Sequence, residues 1–249
     1  MTNRISTLLV FITVSISSLL GNDVKVLNFV TLDWQPYVGE NLKNEGFTTK
    51  ILREALKLEG YEIKTHYMPW ARALKEAESG KFDAIYPAYF SEERSKAYNT
   101  SKSFCAGPLV FFQRDGLDLT YESFEDLKQY KIGVVRGYIN TRVFDEATYL
   151  NKKVSNSDLQ NMLKLAKGRV DLVVIDQFLG LHLINESDDP AMKQLTFIKK
   201  PLENKTLHLL VSKNIQNSEK LLDAFHKGLD ELERKGEVEK IISTSMNDQ

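Results

Sequence analysis

The chain has 249 residues, of which 42% are hydrophobic and 27% charged, and its formal net charge is −1 at pH 7. These values are typical of a globular protein and exclude a disordered or predominantly membrane-embedded chain. A charge so close to zero attracts neither nucleic acid nor an anionic membrane surface, so we expect no nucleic-acid partner.

Residues 1–21 have the pattern of a secretory signal peptide. Arg4 precedes an apolar run, residues 5–20, which is short for a transmembrane helix of about 20 residues. We therefore expect export through a cleaved signal peptide, with an uncleaved N-terminal anchor as the alternative. The chain has one cysteine, Cys105, so an exported protein of this sequence has no internal disulfide. We expect Cys105 to be a buried apolar side chain rather than a nucleophile.

Strand and helix patterns alternate along the first part of the mature chain. Strands are predicted at Val24–Val30 and, from alternating side chains, at Tyr61–Tyr67. An aromatic loop, Thr31–Gly39, follows the first strand. Helices are predicted at Thr48–Leu58 and from Pro69 to Gly80, because apolar residues recur there at helical spacing.

The next stretch, Gly80 to Ser101, has the features of an anion-binding site. It contains a predicted buried strand, Phe82–Tyr86, a tyrosine-rich turn, and a short helix that starts at Ser91 and carries Arg94 in its first turn. The free N–H groups of a helix start favour negative charge, and a guanidinium offers two parallel donors to a carboxylate or phosphate. A surface arginine paired with a neighbouring glutamate is the alternative.

The alternation then continues, which predicts an α/β fold with parallel sheets covered by helices. Further strands are predicted at Lys131–Val135, Arg169–Ile175, Lys193–Lys199 and Leu207–Ser212, with an extended segment at Gly107–Arg114 and helices at Asn140–Thr148, from Ser157 to Gly168, from Asp176 to Ile184, from Ser218 onwards and at Val238–Ile242.

A unit of glycine, strand and helix occurs twice, so we expect two lobes rather than one sheet. Ligands of open α/β sheets bind beyond the carboxyl ends of the strands. The two units carry Arg94 and Asp176 after their strands. Two opposite charges placed in this way are suited to bind a zwitterion.

Five stretches of the chain carry a resemblance to one known family. They are DWQPY at 33–37, GKFDA followed by SEER within 80–94, SFEDLKQYKIGVVRGY at 123–138, KGRVDLVVID at 167–176 and LDAFHKGLDELERKGEVEKII at 222–242. In this order they resemble the bacterial extracellular solute-binding proteins, family 3, which are the periplasmic substrate-binding components of ABC transporters for polar amino acids. The resemblance covers essentially the whole mature chain.

The resemblance implies a two-lobed periplasmic binding protein fold, with parallel-rich sheets flanked by helices and a ligand cleft between the lobes. Lobe 1 would comprise residues 22–108 and 205–249, and lobe 2 residues 109–204. Phe111-Phe112 and Leu202–Thr206 would form the two hinge crossings.

The resemblance also implies roles for individual residues. Arg94 would bind the ligand carboxylate and Asp176 the α-ammonium group, while Trp34 and Tyr37 would pack on the ligand side chain. Capping of the following helix is an equal alternative for Asp176. Tyr138 stands where family members usually have a small hydroxyl residue after a glycine, so a more aromatic site is expected.

Four further residues belong to the predicted ligand-binding set with open alternatives. Tyr86 and Tyr138 are candidate cleft residues or core aromatics. Trp70 lies on the apolar stripe of its helix, so core packing is its alternative. Arg72 is expected to reach either the cleft or solvent.

The predicted function is capture of a small zwitterionic or carboxylate-bearing ligand, an amino acid or derivative, by hinge closure in the periplasm. The expected partner is an ABC permease or a membrane sensor, and a monomer is expected. The alternatives are a sensory receptor and an enzyme resembling cyclohexadienyl dehydratases, for which Asp33 and Asp176 are the candidate acid–base residues. The four histidines have no metal-ligand spacing, so neither a metal nor a cofactor is expected.

Overall fold

The structure is a computed structural model that describes residues 25–117 and 119–247, and the predicted signal peptide lies outside them. The strands are β1 Lys25–Thr31, β2 Tyr61–Tyr67, β3 Ala84–Tyr89, β4 Tyr98–Thr100, β5 Cys105–Arg114, β6 Lys131–Val135, β7 Asn151–Ser155, β8 Leu172–Asp176, β9 Leu195–Phe197 and β10 Glu203–Ser212. The α-helices are α1 Phe47–Leu58, α2 Trp70–Glu78, α3 Arg94–Ala97, α4 Arg142–Glu146, α5 Asp158–Ala166, α6 Gln177–Asn185, α7 Ser218–Arg234 and α8 Glu237–Asn247.

The strands form two groups that share the central strands β5 and β10. Their order is β2-β1-β3-β10-β5-β8-β6-β7, with β4 added to β10 and β9 added to β5. We call β1 to β4 the first strand group and β6 to β9 the second. Within the first group β1 pairs in parallel with β2 and β3, and within the second β6 pairs in parallel with β7 and β8. The antiparallel pairs all involve β5 or β10.

The connection between the groups is the antiparallel pairing of Cys105–Leu109 with Glu203–Leu207. Each strand then continues into a different group, β10 along β3 and β5 along β8. Phe111 and Phe112, one of the two predicted hinge crossings, lie opposite Val174 and Val173 of β8. They therefore pair with the second strand group. The bounds of the two lobes stay a prediction.

Several element bounds differ from the sequence-based expectations. Strand β3 runs to Tyr89 rather than stopping at Tyr86, because β10 pairs with it there. Pro87 is tolerated in this strand, since the register of β10 shifts beside it, between His208 and Leu210. Helix α7 begins at Ser218 as expected, and its N-cap residue is Asn217, in a left-handed conformation.

Other differences concern short elements. The expected helix 140–148 is only α4, and the expected strand 193–199 is only β9, preceded by a 3-10 turn at Met192–Gln194. Strands β4 and β7 were not expected from the sequence. Strand β7 lies at the end of the sheet order and exposes Lys153 and Val154, so its sequence lacks the apolar pattern of a buried strand.

The described core has one apolar cluster that extends across the central strands and a further cluster on each side of them. On the first side α1 packs against α7, and Gly228 makes this possible because a Cβ there would meet the backbone of Ala55. On the second side Phe111, Phe124 and Phe144 form an aromatic cluster with edge-to-face and tilted contacts. None of the described helices combines the length and apolar character needed to cross a bilayer.

Candidate ligand-binding cleft

A small pocket lies where the two strand groups meet, with an empty volume of about 290 Å³ that includes solvent at its mouth. Four of the eight residues predicted for ligand binding line it: Trp34, Trp70, Arg94 and Tyr138. The other lining residues were not predicted: Leu32, Pro87, Tyr89, Ile139 and Leu207.

Arg94 is the charged side chain of this pocket, and it is 8% exposed. The predicted short helix after β3 is present, but it begins at Arg94 rather than at Ser91. Ser91 precedes it, and its Oγ accepts from the backbone N–H of Arg94 at 3.1 Å. The guanidinium donates to the carbonyl oxygens of Tyr89 (2.8 Å) and Gly137 (3.1 Å) and lies 5.4 Å from the centre of the Trp70 ring.

No described carboxylate forms an ion pair with Arg94. Burial lowers the pKa of its guanidinium to about 10, which is still well above neutral pH. At neutral pH the side chain therefore stays charged. A buried cation without a counter-ion is costly. This cost favours an anion next to the guanidinium.

Asp176 ends β8 and is 2% exposed, but it does not line the pocket. Its Oδ1 accepts from the backbone N–H groups of Phe178 (2.9 Å) and Leu179 (3.1 Å), which makes it the N-cap of α6. Its Oδ2 accepts from the Tyr37 hydroxyl at 2.9 Å. Burial raises the pKa of the Asp176 carboxyl to about 7.

The loop after β1 places an aromatic pair beside the pocket. Backbone hydrogen bonds between Trp34 and Val38 close the loop, and Thr48 anchors it through its N–H and hydroxyl, which both donate to Tyr37 O. The rings of Trp34 and Tyr37 stack at 4.5 Å between centroids. Trp34 thus faces the pocket, while Tyr37 lies behind it and reaches Asp176.

Trp70 and Tyr138 contact each other across the cleft. Their rings meet edge to face at 6.3 Å, and Trp70 Nε1 donates to Gly137 O at 3.2 Å. Gly137 has φ = 77°, a conformation that favours glycine, in the turn after β6. The Tyr138 hydroxyl donates to Asp158 Oδ2 at 2.7 Å, and burial raises the pKa of the Asp158 carboxyl to about 6.

The structure does not bring Tyr86 and Arg72 into the pocket. Tyr86 is fully buried, and its hydroxyl contacts those of Thr49 (3.0 Å) and Thr65 (3.1 Å). Arg72 has a 65% exposed side chain that pairs with Glu76 one turn later on α2. These are the core and solvent alternatives stated for the two residues.

Tyr89 is the main residue that sequence reasoning missed. It ends β3, lines the pocket beside Arg94, and packs edge to face on Trp34 at 6.0 Å. The available signal was the run of tyrosines in the predicted turn, but only the extension of β3 along β10 turns this ring toward Trp34.

The described residues contain no group of three or more His, Cys, Asp or Glu side chains placed to hold a metal ion. Cys105 is half-buried against the core, and burial raises the pKa of its thiol well above the ordinary value. Asp33, a candidate acid–base residue, is exposed and accepts from Gln35 Nε2 at 3.2 Å.

Comparison with known proteins identifies relatives of the whole fold. A family model for bacterial extracellular solute-binding proteins, family 3, matches residues 29–247. The chain is 24% identical over 161 residues to the L-cystine-binding protein TcyJ of Escherichia coli. This match covers 61% of this chain and 58% of that protein. It is 26% identical over 209 residues to a probable histidine-binding protein of Campylobacter jejuni, covering 82% and 77% of the two chains.

Solved structures show the same architecture. The sensor domain of a histidine kinase with similarity to periplasmic binding proteins superposes with a TM-score of 0.78 at 20% identity, covering 89% of this chain and 96% of that one. The fold is therefore the two-lobed periplasmic binding protein fold, with helices flanking a mixed sheet, as the resemblance implied.

Proposed function

Because the chain belongs to the bacterial extracellular solute-binding proteins, family 3, we propose that it captures a small carboxylate-bearing ligand, an amino acid or a derivative, for an ABC transporter. The observation that carries this proposal is Arg94, a buried cation without a described acidic partner in the wall of an aromatic pocket. Its guanidinium has five N–H donors and uses two of its nitrogens on backbone carbonyls, so donors remain for a carboxylate.

Capture proceeds by hinge closure. Among the described residues, three side chains donate hydrogen bonds across the cleft: Tyr37 to Asp176, and both Arg94 and Trp70 to the carbonyl oxygen of Gly137. A ligand that enters the open cleft contacts one side first, and closure then excludes water and strengthens its contact with Arg94. The lobes that move are residues 22–108 with 205–249, and residues 109–204.

The proposal also covers the cellular location of the protein and its partner. The signal peptide, residues 1–21, directs the protein to the periplasm, where it acts as a monomer. The closed form docks on an ABC permease and carries out no chemistry on its ligand. The relatives named as an L-cystine-binding protein and a probable histidine-binding protein support a binding function rather than an enzymatic one.

A thermal-shift screen of the mature protein against small carboxylates tests this function. A ligand that binds only the native state raises its melting temperature. We expect at least one carboxylate to do so, and no amine without a carboxylate. Absence of any shift across the panel contradicts the proposal, and turnover of prephenate in a parallel assay would instead support the dehydratase-like alternative.

A further inference from the structure

The polar side-chain groups of the residues that line the pocket can all donate hydrogen bonds. Besides Arg94, two polar atoms of lining residues, Trp34 Nε1 and Tyr89 Oη, are buried and find no partner among the described residues. An indole N–H can only donate, and a phenol hydroxyl donates and accepts. Two aromatic residues therefore add donors to those of the guanidinium.

The acceptors that adjoin the pocket are engaged within the protein or lie behind its lining. Asp158 is of the second kind: it does not line the pocket, its Oδ2 accepts from the Tyr138 hydroxyl, and its Oδ1 is buried without a described partner. Gly137 O accepts from both Arg94 and Trp70, and Tyr89 O accepts from Arg94. Asp176, the acid that the family resemblance assigns to an ammonium group, is covered by Tyr37, whose hydroxyl occupies its Oδ2. A Cβ on Gly107 would meet both that hydroxyl and Oδ2, so β5 closes the remaining side.

An ammonium group on the ligand would therefore be poorly placed here. It needs acceptors, and it would be buried next to the positive charge of Arg94. A carboxylate, in contrast, accepts from Arg94 and from the donors of Trp34 and Tyr89. The remaining lining, which includes Pro87 and Leu207, is apolar and suits a flat or branched hydrocarbon body.

We infer that the ligand is a small organic carboxylate with an apolar body and no free ammonium group, such as a deaminated amino acid. This inference rests on the proposed function, because it assumes that the pocket beside Arg94 is the capture site. Tyr37 is the residue that determines the preference, since its hydroxyl takes the position on Asp176 that an ammonium group would need.

Matched pairs of probes test the inference by thermal shift and calorimetry. The pairs are 3-phenylpropionate with L-phenylalanine, indole-3-propionate with L-tryptophan, and 4-methylpentanoate with L-leucine, which differ only in the ammonium group. We expect the deaminated member of at least one pair to bind at least tenfold more tightly. An amino acid that binds as well as or better than its partner overturns the inference and leaves the proposed function intact. If no member of any pair binds while another carboxylate of the panel does, the inference is overturned and the proposed function stands; if no carboxylate of the panel binds, both are contradicted.

A variant separates the role of Tyr37 from general packing. Tyr37→Phe keeps the ring that stacks on Trp34 and removes the hydroxyl from Asp176. We expect this variant to lower the affinity ratio of the deaminated probe to its amino acid at least fivefold, from about tenfold to about twofold or less. The reason is that Asp176 then becomes available to an ammonium group. The control is Tyr98→Phe, which removes a 2.6 Å hydrogen bond to Leu74 O on the first side of the cleft. An unchanged preference in Tyr37→Phe, or an equal change in Tyr98→Phe, overturns the assignment of Tyr37.

Discussion

Tyr37 donates a 2.9 Å hydrogen bond to Asp176 across the cleft, although the two residues are 139 positions apart in the chain. The tyrosine belongs to the loop after β1, and the aspartate ends β8 and caps α6. This contact joins the two sides of the cleft, and it gives the carboxylate a partner from within the protein. Among the described residues that line the pocket, Arg94 is thus the one that carries a charge.

Removal of this contact is expected to open the cleft. Tyr37→Phe leaves Asp176 Oδ2 buried without its partner, which costs about 1–3 kcal/mol of stability. It also removes one of the three side-chain hydrogen bonds that link the two sides in the described part of the chain. We expect a larger radius of gyration of the ligand-free variant in small-angle X-ray scattering.

The control for opening is Tyr98→Phe. It loses a hydrogen bond that lies wholly on the first side of the cleft, so its stability falls by about 0.5–1.5 kcal/mol. Its radius of gyration should match that of the wild type. Identical scattering of Tyr37→Phe and the wild type would contradict a role for this hydroxyl in closure.

Asp176 should make stability depend on pH. Burial raises the pKa of its carboxyl to about 7 in the folded state, against an ordinary value of 3.8. Between these values the native protein keeps a proton that the unfolded chain has lost, so stability falls as the pH rises from about 4 to about 7, by at most about 1.4 kcal/mol per pH unit from this group.

The variant Asp176→Asn isolates this contribution, because asparagine also caps a helix but does not titrate. Urea unfolding of both proteins at a series of pH values measures it. The stability of the wild type relative to the variant should decline between pH 4 and 7 and then level off. A difference that stays constant over this range would contradict the buried state of the carboxyl.

Gly107 should tolerate no side chain. It lies on β5, and a Cβ there would overlap Tyr37 Oη and Asp176 Oδ2. We expect Gly107→Ala to cost about 1–3 kcal/mol, since the neighbours must move apart. Ala106→Ser, at the exposed neighbouring position, should change stability by less than about 0.5 kcal/mol. Equal urea midpoints for the two variants would show that the contact behind the pocket is loose.

The local features of this protein were predictable from its sequence. The alternation of strands and helices, the short helix after β3 that carries Arg94, and the capping role open to Asp176 all follow from residues close together in the chain. Strand Tyr61–Tyr67 was predicted with its observed bounds, because its alternation reflects one exposed face.

The features that depend on distant pairing were not predictable. Tyr89 joins the pocket because β10, more than a hundred residues later, extends β3. Tyr37 covers Asp176 instead of lining the pocket because its neighbour Trp34 takes that place. Tyr86 and Arg72 had sequence contexts compatible with the cleft. Tyr86 instead contacts Thr49 in the core, and Arg72 lies on the exposed face of α2.

The most direct test of the account is the affinity of Arg94→Ala for the tightest-binding carboxylate of the panel, measured by isothermal titration calorimetry. Loss of charged hydrogen bonds worth about 1.5–3 kcal/mol corresponds to a decrease in affinity of about 10- to 150-fold. Arg142→Ala, which removes an exposed arginine paired with Glu146, is the matched control and should bind as the wild type does. Wild-type affinity in Arg94→Ala would contradict the claim that this guanidinium binds the ligand.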